Sequence, residues 1–118
     1  MTEVELASRM RSAGFDLHTA KSVSERGLIL EKALKWIIPP RNISDISCFR
    51  RVCGWLVIET TAGRFNEFEI FRRVIDFALE ASMPPARKPA AVFMSILKKE
   101  LNYVSNNTNT PRRINGNN

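Results

Sequence analysis

The residues able to carry acid–base, nucleophilic or metal chemistry are few in this chain, and they stand apart. His18 is the only histidine, and a lone imidazole near a helix start serves as a polar surface or capping group far more often than as a proton shuttle. Cys48 and Cys53 lie five residues apart. On a helix that separation is about 500° of rotation, so the thiols point about 140° apart and do not readily pair. Their spacing fits no zinc motif and no histidine lies near them, so they read as small, buried, reduced hydrophobes. The five glycines are not clustered, which leaves no phosphate loop, and there is no Gly-x-Ser-x-Gly elbow. Glu67, Glu69, Asp76 and Glu80 fall near helix starts or beside Lys and Arg, where capping and ion pairing account for them. The sequence therefore predicts no enzyme, no metal and no cofactor.

What the chain does carry is cationic charge. Eighteen Lys and Arg oppose twelve Asp and Glu, a net +6, and from Ser82 to Asn118 six basic residues face Glu100 alone. They come as doublets: Arg50-Arg51, Arg72-Arg73, Arg87-Lys88, Lys98-Lys99 and Arg112-Arg113. Such clusters draw phosphate by Coulomb attraction and counterion release, without reading base sequence. All ten are candidate nucleic-acid contacts, with DNA favoured over RNA. Solvated helix faces also carry Lys and Arg routinely. The rival reading is a protein-interaction adaptor, in which an exposed aromatic patch of Trp36, Phe49 and Trp55 takes up a partner while the doublets keep the chain soluble. Phe68, Phe71, Phe77 and Phe93 lie at core spacing and read as packing residues rather than base-stacking platforms.

The elements that must position these residues read as helices. Thr2 and Glu5 have capping-box spacing, Val4, Leu6 and Met10 follow, and Gly14 is placed to end a first helix over 3–13. Asp16 can cap a second short helix through Leu17, Ala20 and Val23, with Gly27 as its stop. Leu30, Ala33, Leu34 and Ile37 form an i, i+3, i+4, i+7 stripe that Pro39-Pro40 ends. Ser44 can cap a fourth helix lined by Ile46, Phe49, Val52, Cys53, Leu56 and Val57. The competing reading makes GWLVIET a strand that turns at Gly63 into a hairpin. Asn66 and Glu69 repeat the capping-box spacing before Phe68, Phe71, Val74, Ile75, Ala78 and Leu79, a 3.6-residue period running to Pro84-Pro85. Pro89 opens a last helix with Val92, Phe93, Ile96 and Leu97 inward and Lys98, Lys99 and Glu100 outward, ending near Tyr103.

The expected fold is all-α: one domain over 1–104, a compact bundle of five or six short helices, then an Asn-rich basic tail over 105–118 too polar to bury surface and expected to be disordered. An echo between residues 33–40 and 78–85, identical at Ala, Leu and both prolines, suggests two related helical units. The charged opening segment does not read as a signal peptide, and no apolar run is long enough to span a bilayer, so the expected location is the cytoplasm, away from membranes.

The run from Arg87-Lys88-Pro89-Ala90-Ala91 to Lys98-Lys99-Glu100-Leu101 resembles the C-terminal helical region of DnaD-like primosomal proteins and of some plasmid or phage replication initiators. Residues 6–27, LASRMRSAGFDLHTAKSVSERG, look like the helix pair that precedes that unit. Lys88 stands where the family more often has Asn. The resemblance implies a DNA-associated replication accessory that binds nucleic acid or a replication partner through its last helix and basic tail.

Overall fold

The computed structural model describes residues 17–84 and 87–104, together with Glu5 and Ser8, which are helical and exposed. The rest of the helix expected over 3–13 and the tail over 105–118 lie outside the described residues. Four α-helices are described in full: α1 (Val23–Ile37), α2 (Ile43–Thr61), α3 (Glu67–Ser82) and α4 (Pro89–Leu101), with a 3₁₀ turn at Leu17–Thr19 ahead of them. No strand occurs among the described residues. The all-helical class stands, and the count of five or six helices is corrected to four among these residues.

Local chemistry sets the helix ends. The Ser22 hydroxyl accepts the Glu25 N–H at 3.1 Å and starts α1, which satisfies one of the free donors of a first turn. The second and third helices read from sequence are therefore a short 3₁₀ turn and a single 15-residue helix that runs through Gly27. In α2 the cap is Asn42, not Ser44: its Oδ1 accepts the Asp45 N–H at 2.9 Å, while Asp45 takes the Arg41 N–H at 2.9 Å. Asn66 caps α3 by accepting from both Phe68 and Glu69. Each proline pair follows a helix end, after Ile37 and after Ser82. Helix α4 stops at Leu101, two residues before the expected end, because Asn102 turns left-handed at φ 57°. That turn lets the Tyr103 N–H reach back to the Leu97 carbonyl.

The helices form two hairpins, α1–α2 and α3–α4, joined through contact between α1 and α3. Leu30, Ala33 and Leu34 from α1 meet Phe49, Val52 and Leu56 from α2, Phe71, Val74 and Ala78 from α3, and Phe93 and Leu97 from α4. Complete burial of each large apolar side chain contributes about 1.5–3 kcal/mol. The fourth edge, α2 against α4, is bridged by the Phe49 and Phe93 rings, edge to face with centroids 5.9 Å apart. Two residues read as inward are not: Phe68 is 76% exposed and Val92 is 38% exposed. On α4 the buried residues Phe93, Leu97 and Leu101 recur every four positions, and Val92 sits about 100° off that line.

Two mid-helix glycines behave in opposite ways. A Cβ on Gly27 would lie 2.5 Å from Val57 Cγ2, so the glycine lets α1 and α2 close on each other. A Cβ on Gly54 would meet nothing within 4 Å. Gly27→Ala is expected to destabilise by about 1–3 kcal/mol through overpacking, whereas Gly54→Ala gains about 0.5–1 kcal/mol of helix propensity. Paired urea denaturation curves check both signs, and two shifts in the same direction would refute this account.

Candidate nucleic-acid interface

The doublets separate once they are wound on helices, because consecutive residues point about 100° apart. Arg50 turns towards α1, where its Nε lies 3.5 Å from Glu31 Oε2. Arg51 points about 100° away from it, close enough to Tyr103 for its charge to act on the phenol. Arg73 ion-pairs with Glu100 at 3.5 Å and lies over the Phe77 ring, while Arg72 is exposed on the outside of α3. Arg87 lends its carbonyl to Arg41 Nη1 at 2.7 Å. It and Lys88 stand at the start of α4, about 15 Å along the helix from Lys98. Arg112 and Arg113 lie outside the described residues.

Two of the expected cations, Arg51 and Lys98, come together at Tyr103, at the edge where α2 meets the end of α4. Lys98 lines a shallow surface depression with Asn102, Tyr103 and Val104, Arg51 approaches Tyr103 from α2, and Lys99 is the next residue of α4. Lys98 and Lys99 are exposed and make no ion pair among the described residues. Part of their placement is structural, since cations in a last turn oppose the helix dipole.

An aromatic row runs beneath these charges. Trp55 packs edge to face on Tyr103 at 4.9 Å and on Phe65 at 5.6 Å. This arrangement corrects the aromatic patch expected from sequence. Phe49 is fully buried in the core, Trp55 is half-buried in the row, and Trp36, on α1, is the most open of the three at 36%. Burial holds the Tyr103 hydroxyl above the ordinary value of 10.0, with Arg51 opposing the shift. A group whose folded pKa is raised contributes stability below its unfolded pKa and loses it as pH rises through the folded one. Unfolding free energy is therefore expected to fall as pH climbs past 10, and Tyr103→Phe should flatten that decline in a base titration.

The remaining chemistry is modest. Cys53 is buried, and desolvation followed by the nearby Glu31 charge pushes its thiol far up, which keeps it protonated and unreactive. Cys48 is half-buried, less enclosed than expected, and both cysteines are free. No group of three His, Cys, Asp or Glu side chains is gathered to hold a metal among the described residues. No described helix is long and apolar enough to cross a membrane. A cleft of about 580 Å³ opens between the Pro39-Pro40 linker and the start of α4, with Arg41, Asn42, Asp45 and Lys88 on its walls.

Sequence reasoning missed the buried Arg26. Its guanidinium pairs with Glu67, donates from Nε to the Leu17 carbonyl at 3.2 Å, and lies over the Phe68 ring at 5.4 Å. Comparison with protein-family models, with curated proteins and with solved structures finds no match to this chain.

Proposed function

We propose that this chain is a nucleic-acid-associated helical module that takes phosphates on the edge between α2 and α4. The observation that carries the reading is the approach of Arg51 and Lys98 to Tyr103, at the end of the Phe65–Trp55–Tyr103 row, with the exposed Lys99 the next residue of α4. Long, exposed cations give affinity without base readout. The tail leaves from this same edge: Arg112 follows Val104 by eight residues, a reach of up to about 28 Å for extended chain. In this reading the two hairpins are copies of one helical unit, and the DnaD-like resemblance of residues 87–101 makes replication the host process and DNA the preferred ligand.

The test is fluorescence anisotropy with labelled single- and double-stranded DNA and RNA oligonucleotides across a salt series. Lys98→Ala with Lys99→Ala is expected to weaken binding and to lower the salt slope by about 1.8 on duplex DNA, or about 0.9 for each phosphate no longer neutralised. Arg50→Ala, whose charge is engaged by Glu31, serves as the control and should change little. Absence of binding at low salt, or binding that ignores both the salt and the double substitution, would overturn the proposal.

A further inference from the structure

A second surface lies along the α1–α2 hairpin, centred on the seam between these two helices. Leu28 from α1 and Cys53, Gly54 and Val57 from α2 line a groove of about 320 Å³. Leu28 is 62% exposed beside it, and Ile58, one turn beyond Gly54, is 65% exposed. The α1 wall runs from Ser24 to Glu31, about 10 Å or two helical turns.

Gly54 is the informative residue. A glycine inside an exposed helix costs about 1 kcal/mol relative to alanine. Gly27 offsets that cost inside the molecule by admitting Val57, but no described residue approaches the open side of Gly54. A missing side chain on a groove floor permits close approach by another backbone, as small residues do wherever helices cross tightly.

The rim selects among occupants. Among the described residues Glu31 is the one carboxylate lining the groove, and it is already shared by Lys35 at 3.2 Å and Arg50 at 3.5 Å. Lys32, one residue beyond the lining Glu31 on α1, is exposed with no ion pair among the described residues. Arg50 and Lys35 against the single Glu31 leave the border positive by one charge, and Lys32 adds to it from the next position of α1. A second copy of this chain would bring the same positive border and a net +6. The chain's own residues 1–13 balance Glu3 and Glu5 with Arg9 and Arg11 and bring no complementary charge. We infer that the α1–α2 groove docks an amphipathic helix of a partner protein whose apolar stripe is bordered by carboxylates. Apolar anchors at i, i+3, i+4 and i+7 would lie along Leu28, Val57 and Ile58, with the helix backbone over Gly54 and its carboxylates towards Lys32, Lys35 and Arg50.

The experiment titrates the ¹⁵N-labelled full chain with two synthetic helical peptides of about 18 residues, long enough to hold helix in water. Both carry the same leucine stripe, flanked by Glu in one and by Lys in the other. The Glu peptide is expected to shift the amide signals of Gly27, Leu28, Gly54 and Ile58, and the Lys peptide to leave them in place. Gly54→Leu, which fills the floor, should weaken the Glu peptide by about tenfold or more while the melting temperature holds or rises. Lys98→Ala with Lys99→Ala should leave the peptide shifts intact, which keeps this surface separable from the phosphate edge. Equal binding of the Lys peptide, shifts confined to other surfaces, or indifference to Gly54→Leu would each overturn the inference. So would groove signals that move with protein concentration alone, which would identify a second copy as the occupant, or peptide binding seen only after removal of residues 1–16, which would identify that segment.

Discussion

Phe93→Ala is expected to remove about 3–5 kcal/mol of stability, the cost of deleting a fully buried aromatic side chain together with the cavity it leaves. The surroundings favour the upper part of that range. Helix α4 is held chiefly by α3, and the Phe93 ring, fully buried and edge to face on Phe49, bridges it to α2. With the ring gone, α2 and α4 retain the Trp55–Tyr103 contact beyond the end of the helix. Against a total stability of about 5–15 kcal/mol for a domain of this kind, the loss is severe. Phe49→Ala should cost a similar amount, and the double substitution should fall short of the sum by about 0.5–1.5 kcal/mol, the coupling of an aromatic pair. Urea denaturation followed by far-ultraviolet circular dichroism measures all three. A loss under about 1 kcal/mol for Phe93→Ala would mean that α4 does not depend on this bridge.

That pairing joins residues 44 apart in sequence, and its invisibility before the fold was known is typical of what could not be read. Helix α3 was legible almost in full, because its cap, its 3.6-residue apolar period and its terminating prolines are all local signals. Gly27 was misread for a physical reason. The residue that can end a helix in a left-handed turn is also the one that lets two helices touch, and only the presence of Val57 decides between them. Asn42 and Ser44 are both good caps two positions apart, and the choice fell to Asn42, whose side chain takes the Asp45 N–H. The candidate site suffered most. A doublet in sequence is not a doublet in space on a helix, since residues i and i+1 do not share a face. Arg50 and Arg51 therefore serve different surfaces, and Arg73 is occupied by Glu100 while Arg72 is exposed on the outside of α3. The inference that survived was compositional, namely that the last third of the chain is cationic. Which cations a carboxylate engages depends on contacts between helices that no local pattern encodes.

The second large effect is expected at Arg26, and here the chemistry of the replacement matters more than its size. The side chain is 9% exposed, and its guanidinium satisfies three groups from two parts of the chain: the Leu17 and Ala20 carbonyls of one turn and the Glu67 carboxylate. Arg26→Ala leaves Glu67, whose side chain is 30% exposed, without its partner, and strips the tie that fastens the 3₁₀ turn to α1. Breaking a buried pair in this way costs about 3–5 kcal/mol, and the partial access of Glu67 to water places this case near the lower figure. Arg26→Lys should recover little, because a single ammonium cannot reproduce the planar fork that reaches all three acceptors. Arg26→Met combined with Glu67→Leu removes both charges while keeping apolar volume against Phe68, and is expected to return most of the stability. Thermal unfolding ranks the variants, and amide exchange at Ala20, whose N–H bonds the Leu17 carbonyl at 3.3 Å, reports whether the turn has come loose. If the apolar double variant proves as unstable as Arg26→Ala, then hydrogen bonding to the turn rather than charge pairing is what Arg26 supplies, and protection at Ala20 would disappear in both.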